Sequence, residues 1–115
     1  MKLVLPWPPG VNDMYTNRRD QMGRPGRQIS EKYSAWKKAA EAVLWTTKVE
    51  RFAGPVTVTL TLRDSGRYDP DNKLKPVLDF LVTHNIITTD DRSIVRRATA
   101  QTGTVETCEV EILSA

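Results

Sequence analysis

Residues 56–63 read Val-Thr-Val-Thr-Leu-Thr-Leu-Arg, apolar and polar side chains in strict alternation over one continuous stretch. Successive side chains on a β-strand point to opposite faces. The pattern therefore predicts a strand with Val56, Val58, Leu60 and Leu62 on a buried face and Thr57, Thr59, Thr61 and Arg63 on a polar one. Two helical patterns flank it. From Glu31, with Ser30 as N-cap, Tyr33, Trp36, Ala40, Val43, Leu44 and Thr47 recur at three- and four-residue steps, which predicts an amphipathic helix to about Lys48. Leu74, Val77, Leu78, Leu81 and Val82 form a second stripe. Pro76 is tolerated only in the first turns of a helix, so this one begins near Asn72 or Lys73 and runs to about His84.

The remaining segments are shorter or less regular. Lys2 to Leu5 is a short strand ended by Pro6, Pro8 and Pro9, with Trp7 in a rigid extended turn. Residues 10–28 show neither periodicity and contain Asn12, Asp13, Asn17, Gly23, Pro25 and Gly26, which predicts a long loop. Phe52-Ala53-Gly54-Pro55 breaks the first helix, and Ile86-Ile87 forms a brief extended piece. Ile94 to Ala100 and Thr104 to Leu113 read as two strands of a hairpin around Gly103, with Cys108, Val110 and Ile112 on one face. The chain thus mixes helices and strands. Its 115 residues, without a linker or internal repeat, make a single domain spanning 1–115.

Composition excludes several classes. No apolar run approaches the roughly 18 residues of a membrane span, and the opening Met-Lys-Leu-Val-Leu-Pro is too short for a secretory core, so no membrane association and a cytoplasmic location are expected. With Cys108 the single cysteine, neither an internal disulfide nor a cysteine-rich zinc site can form, and its parity with Val110 and Ile112 places it in a buried strand. His84, the single histidine, falls at a helix end as a cap or surface residue. The net charge of +3 is unevenly spread: residues 1–51 carry ten Lys/Arg against five Asp/Glu, and residues 52–115 carry seven against nine. A basic half joined to an acidic half suits an enzyme acting on a polyanion, although +3 is also an ordinary charge for a soluble domain. Arg18, Arg19, Arg24 and Arg27 beside Tyr15 suit phosphate contacts with base stacking, as they would a solvated loop.

The stretch Asp69-Pro70-Asp71-Asn72-Lys73-Leu74-Lys75-Pro76-Val77-Leu78-Asp79 lies where the strand gives way to the second helix. In extended backbone, residues i and i+2 point to one side, so Asp69 and Asp71 can converge on one cation while Pro70 faces away. A third carboxylate from Asp90 or Asp91 closes an oxygen site of the kind Mg²⁺ takes, with water and substrate phosphate completing the shell. Lys75 follows one helical turn after Asp71, on the face opposite the leucines, where its charge can neutralise a phosphate. A second reading of the same spacing stands beside this one. Asp71 or Asn72 caps the helix, Asp69 opens the turn, and Lys75 and Asp79 form an i,i+4 ion pair.

Leu5-Pro6-Trp7-Pro8-Pro9 with Asn12, Gly54-Pro55-Val56, Asp69-x-Asp71-Asn72 followed by Lys75 and Leu78-Asp79, and then Asp90-Asp91 occur in an order that resembles the RusA family of Holliday junction resolvases over nearly the whole chain. The resemblance implies the α+β class, with a small mixed β-sheet packed with two main α-helices. It implies a homodimeric endonuclease, bacterial or phage-encoded, that cuts four-way DNA junctions symmetrically with Mg²⁺ or Mn²⁺. By position it implies that Asp69, Asp71 and Asp91 are metal-binding catalytic acids and that Lys75 is the catalytic lysine. Three departures mark this chain. Gly10 stands where the family's early motif has Ser, the arginine run before the first Asp is thinned to Arg67-Tyr68, and Asp79 to Asp90 is one residue longer, which leaves Asp90 as the alternative third ligand.

The reading is a Mg²⁺-dependent, structure-specific endodeoxyribonuclease of branched DNA, acting in recombination and repair. Arg18, Arg19, Arg24, Arg27, Lys32, Arg67 and Lys73 would hold the duplex arms through their phosphates. Two alternatives come from other classes. One is a non-catalytic branched-DNA-binding protein; the other is another metal-dependent phosphoryl-transfer enzyme, since a paired aspartate also suits nucleotidyl transfer, although no glycine-rich phosphate loop supports it.

Overall fold

A computed structural model describes residues 1–19 and 21–115, without the side chain of Arg18. The alternating stretch is β4 (Val56–Arg63), the centre of the larger sheet, and its four apolar side chains are fully buried. β1 (Lys2–Leu5), β5 (Val95–Gly103) and β6 (Cys108–Ser114) complete that sheet in the order β1-β6-β4-β5. β6 runs antiparallel to both β4 and β1, with Leu60 opposite Val110 and Leu3 also opposite Val110 across its other edge.

β5 corrects the expected hairpin. It pairs parallel to β4, from Val56↔Val95 to Arg63↔Gly103, so β4 separates it from β6. Parallel neighbours need a crossover, and the second helix, α2 (Leu74–Thr83), supplies it. β4, α2 and β5 therefore form a βαβ unit, a long-range arrangement that strand periodicity around Gly103 does not reveal.

One face of the sheet packs on both helices. Leu3, Leu5, Leu60, Leu62, Val110 and Ile112 meet Tyr33, Trp36 and Ala40 of α1 (Glu31–Trp45) and Val77, Phe80 and Leu81 of α2 in a single core. Trp36 and Phe80 join the helices edge to face, with centroids 5.7 Å apart. Burying each such side chain contributes about 1.5–3 kcal/mol. Ile86 and Ile87 are fully buried in the same core, but in a bend rather than the extended piece expected. Cys108 lies there too, and burial pushes its thiol up to about 12.

The cap of α1 is as expected: Ser30 Oγ accepts the Tyr33 N–H at 3.0 Å. The helix stops at Trp45 instead of Lys48, because the Thr46 N–H and the Thr46 and Thr47 hydroxyls all donate to the Val43 carbonyl.

The expected long loop is largely ordered. After a 3₁₀ turn, η1 (Val11–Asp13), strands β2 (Tyr15–Arg19) and β3 (Pro25–Ile29) form an antiparallel hairpin that ends in Gly23 at φ +78°. The two-stranded ribbon has solvent on both faces, and β3 exposes all five of its residues, so no apolar alternation marks it. Pro25 is compatible with such an edge. The Arg19 guanidinium donates to the Gly23 carbonyl at 2.7 Å across the turn, and the Ser30 N–H donates to the Met14 carbonyl at its base. No helix among the described residues is long and apolar enough to cross a membrane.

Candidate active site

The acidic stretch forms a 3₁₀ turn, η2 (Pro70–Lys73), that leads directly into α2. Asp69 occupies the N-cap position of η2, yet its side chain makes no capping hydrogen bond, and neither does that of Lys73 ahead of α2. Asp69 and Asp71 are both exposed. The Asp69 carbonyl accepts the Asn72 N–H at 3.0 Å, so Asp69 opens the turn as the alternative reading had it, while Lys73 and not Asp71 or Asn72 holds the N-cap position of α2.

The turn is anchored from behind by the proline-rich N-terminal segment. Asn72 Oδ1 accepts the Val11 N–H at 3.2 Å, and Lys73 Nζ donates to the Pro8 carbonyl at 3.0 Å. A Cβ on residue 10 would run into Asn72 Nδ2, so Gly10 and the Asn72 side-chain amide lie close together. Trp7 completes the anchor: Arg63 Cζ lies 4.0 Å from its ring centroid, Lys73 Nζ 5.0 Å, and Tyr68 packs edge-on at 4.9 Å. The Tyr68 hydroxyl donates to the Arg63 carbonyl. Burial lowers the Lys73 pKa. Arg63 Nε is buried with no hydrogen-bond partner among the described residues, and its guanidinium uses the Trp7 face instead.

Lys75 is the centre of a second group. Its ammonium pairs with Asp79 Oδ1 at 3.0 Å, one turn along α2, and with Asp90 Oδ2 at 3.1 Å, from the connector ahead of β5. The hydrogen bonds to Asp79 and then Asp90 raise its pKa, so it stays protonated at neutral pH. The i,i+4 pair that the spacing allowed is thus present, and Asp90 joins it. Asp91 faces other donors: its Oδ1 accepts the Ser93 N–H at 2.9 Å and the Ser93 hydroxyl. Those bonds hold its pKa below the usual carboxylate value.

Asp69, Asp71 and Asp91 are not gathered into one cluster. Among the described residues, no three His, Cys, Asp or Glu side chains lie together in a way that would hold a metal ion. Without a cation between them three carboxylates repel, and here Asp90 and Asp91 find local donors. The donor set nevertheless suits a hard divalent cation in its chemistry. Asp69 and Asp71 offer exposed carboxylate oxygens two residues apart, and Mg²⁺ usually takes one or two carboxylates, with phosphate and water supplying the rest.

The basic residues separate into two groups. Arg19, Arg24 and Arg27 are exposed on the hairpin, Lys32 is exposed at the start of α1 with Asp13 3.7 Å away, and Arg67 is exposed in the turn before Asp69. The side chain of Arg18 lies outside the described residues. Lys73 instead turns inward to Pro8 and Trp7, as its half-buried position shows. Sequence reasoning missed the Arg63–Trp7–Lys73 group. The signal for it was there, in an arginine that ends a half-buried strand and a tryptophan held between prolines.

The family described as endodeoxyribonuclease RusA has a model that matches residues 6–113, nearly the whole chain. No curated protein matches it.

Proposed function

This chain belongs to the endodeoxyribonuclease RusA family, hydrolases of DNA phosphodiester bonds, and from that membership we propose a Mg²⁺-dependent resolvase that cuts four-way junctions by paired, symmetric incisions. The family implies a Holliday-junction-resolving endonuclease and, in general, a divalent metal. Mg²⁺, with Mn²⁺ as a substitute, the paired cuts and the residue roles are our own reading. The observation that carries it is the match over residues 6–113, which includes both the exposed Asp69/Asp71 pair and the Lys75–Asp90 contact.

In this reading Asp69, Asp71 and Asp91 hold the metal, with Asp90 as the alternative third ligand. A bound divalent ion would activate water and neutralise phosphate charge. The chain's own residues do the remainder. Asn72 and Lys73 fix the η2 turn against the N-terminal segment, so the two exposed carboxylates are presented on a rigid support. Lys75 delivers a permanent positive charge to the phosphate or the leaving oxygen. To do so it must loosen one of its two carboxylate partners, and Asp90 is the partner outside its own helix.

Arg18, Arg19, Arg24, Arg27, Lys32 and Arg67 supply phosphate contacts, so branched DNA is recognised by shape more than by base identity. Two symmetric cuts require two sites, hence a homodimer; light scattering that gives only a monomer at working concentration, with or without junction, would count against it. A cytoplasmic enzyme of bacterial or phage origin belongs to the same reading.

The test uses a labelled four-way junction and a matched linear duplex, each with and without Mg²⁺. Paired incision of the junction in Mg²⁺, with the duplex left intact, is expected. Tight junction binding without incision in Mg²⁺ or Mn²⁺ would instead establish the alternative, a non-catalytic branched-DNA-binding protein.

A further inference from the structure

Beside the Lys75 ammonium lies a pocket of about 260 Å³ whose lining includes Tyr15, Tyr33, Lys37, Lys75, Asp79 and Asp90. It lies open to solvent between hairpin β2–β3, α1 and α2, and the chemistry above gives Tyr33 and Lys37 no role. Tyr15 is 39% exposed and meets Tyr33 edge to face, with centroids 6.3 Å apart. Arg27 Cζ lies 4.5 Å from the Tyr15 ring centroid but does not line the pocket, so a cation backs the ring from outside it. Lys37 Nζ lies 5.2 Å from the Tyr33 ring, and burial pushes the Tyr33 hydroxyl up to about 12, which keeps it protonated as a donor.

These features describe an occupant. Two ammonium groups and two carboxylates balance in charge, which favours a neutral hydrogen-bonding group over a bare phosphate. An exposed aromatic ring at the edge favours a planar one. The volume is below the roughly 300 Å³ at which drug-sized ligand sites begin, which suits a single ring system.

We propose that this pocket receives one nucleobase unstacked from the DNA at the branch point, its ring against Tyr15 and its polar edge toward Lys37, Asp79 and Asp90. The inference rests on the junction-nuclease reading. Unstacking costs least where pairing is already interrupted, as it is where strands exchange. Because Lys75 lines the same pocket, a base seated there brings its flanking phosphate within reach of the lysine proposed to act on it.

The experiment places 5-iodouracil singly at each position around the crossover of a four-way junction. The wild-type complex is irradiated in Ca²⁺ and the crosslinked peptides are mapped. A crosslink to Tyr15 or Tyr33 from a crossover position, absent with linear duplex, is expected. Tyr15→Leu should lower both crosslink yield and single-turnover cleavage about tenfold or more, the size of a lost stacking contact, and Tyr15→Trp should restore them. Crosslinks that map only outside the pocket while the junction stays bound would overturn the proposal, as would a Tyr15→Leu protein within twofold of wild type in both measures. A wild-type protein that crosslinks through Tyr15 yet never cleaves in Mg²⁺ or Mn²⁺ would leave the base pocket standing and remove the nuclease reading.

Discussion

Strand β3 exposes all five of its residues and, with β2, carries its arginines on a ribbon tied to the body mainly through Met14 and Ser30, whereas Asn72 and Lys73 of η2 are bonded to Val11 and Pro8 more than 60 positions away. A two-stranded ribbon is marginal by itself and tolerates changes of surface charge. The η2 turn is held by bonds from Asn72 and Lys73 to the N-terminal segment and by the Trp7 contacts with Arg63 and Lys73. If the proposed roles hold, affinity for a polyanion and chemistry on it are built in separate places: exposed charge on the hairpin, and exposed carboxylates on the anchored η2 turn.

The sharpest challenge to that separation is Asp71→Asn, which removes a charge from the chemical region alone. Cleavage in Mg²⁺ should fall on the order of 10³-fold with junction affinity nearly unchanged; cleavage near the wild-type rate in a single-turnover assay would take Asp71 out of the site. Next in size is Asn72→Ala, which deletes the acceptor of the Val11 N–H. We expect about 0.5–1.5 kcal/mol of lost stability in urea denaturation, together with a fall in kcat at unchanged KM. A KM effect alone would mean that η2 binds DNA rather than positions carboxylates.

The hairpin is tested by Arg19→Gln combined with Arg24→Gln. Affinity should drop, and the slope of log K against log salt should become shallower by about 2, at unchanged kcat. An unchanged slope would remove both arginines as phosphate contacts. The smallest effect is expected from pH. The Lys75 pKa is raised in the fold, so the stability its ion pairs contribute is fully present below the ordinary lysine pKa. It is lost as pH rises through the higher folded value. Denaturation of wild type and Lys75→Met should therefore differ slightly at pH 8 and converge on the alkaline side of pH 10.5. A gap that persists at high alkalinity would point to packing of the lysine stem instead.

Much of this molecule was legible in the chain because the relevant signal has a short period. The two-residue alternation placed β4, the three- and four-residue steps and Ser30 placed α1, and Pro76 limited where α2 begins. The order of motifs from Leu5 to Asp91 identified the family. Asp69 and Asp71 could be recognised as candidates because their spacing is local.

What the chain did not disclose are relations between residues far apart. β5 and β6 look like a hairpin until β4 is seen between them, and β2–β3 has no apolar face to announce it. Lys75 pairs not only with Asp79, its neighbour on the helix, but with Asp90 across the crossover, while Asp91 turns to Ser93. Periodicity records which face of an element seeks the core. The partner that an edge or a charge meets is set by the packing of the whole chain, so only the tertiary structure decided it.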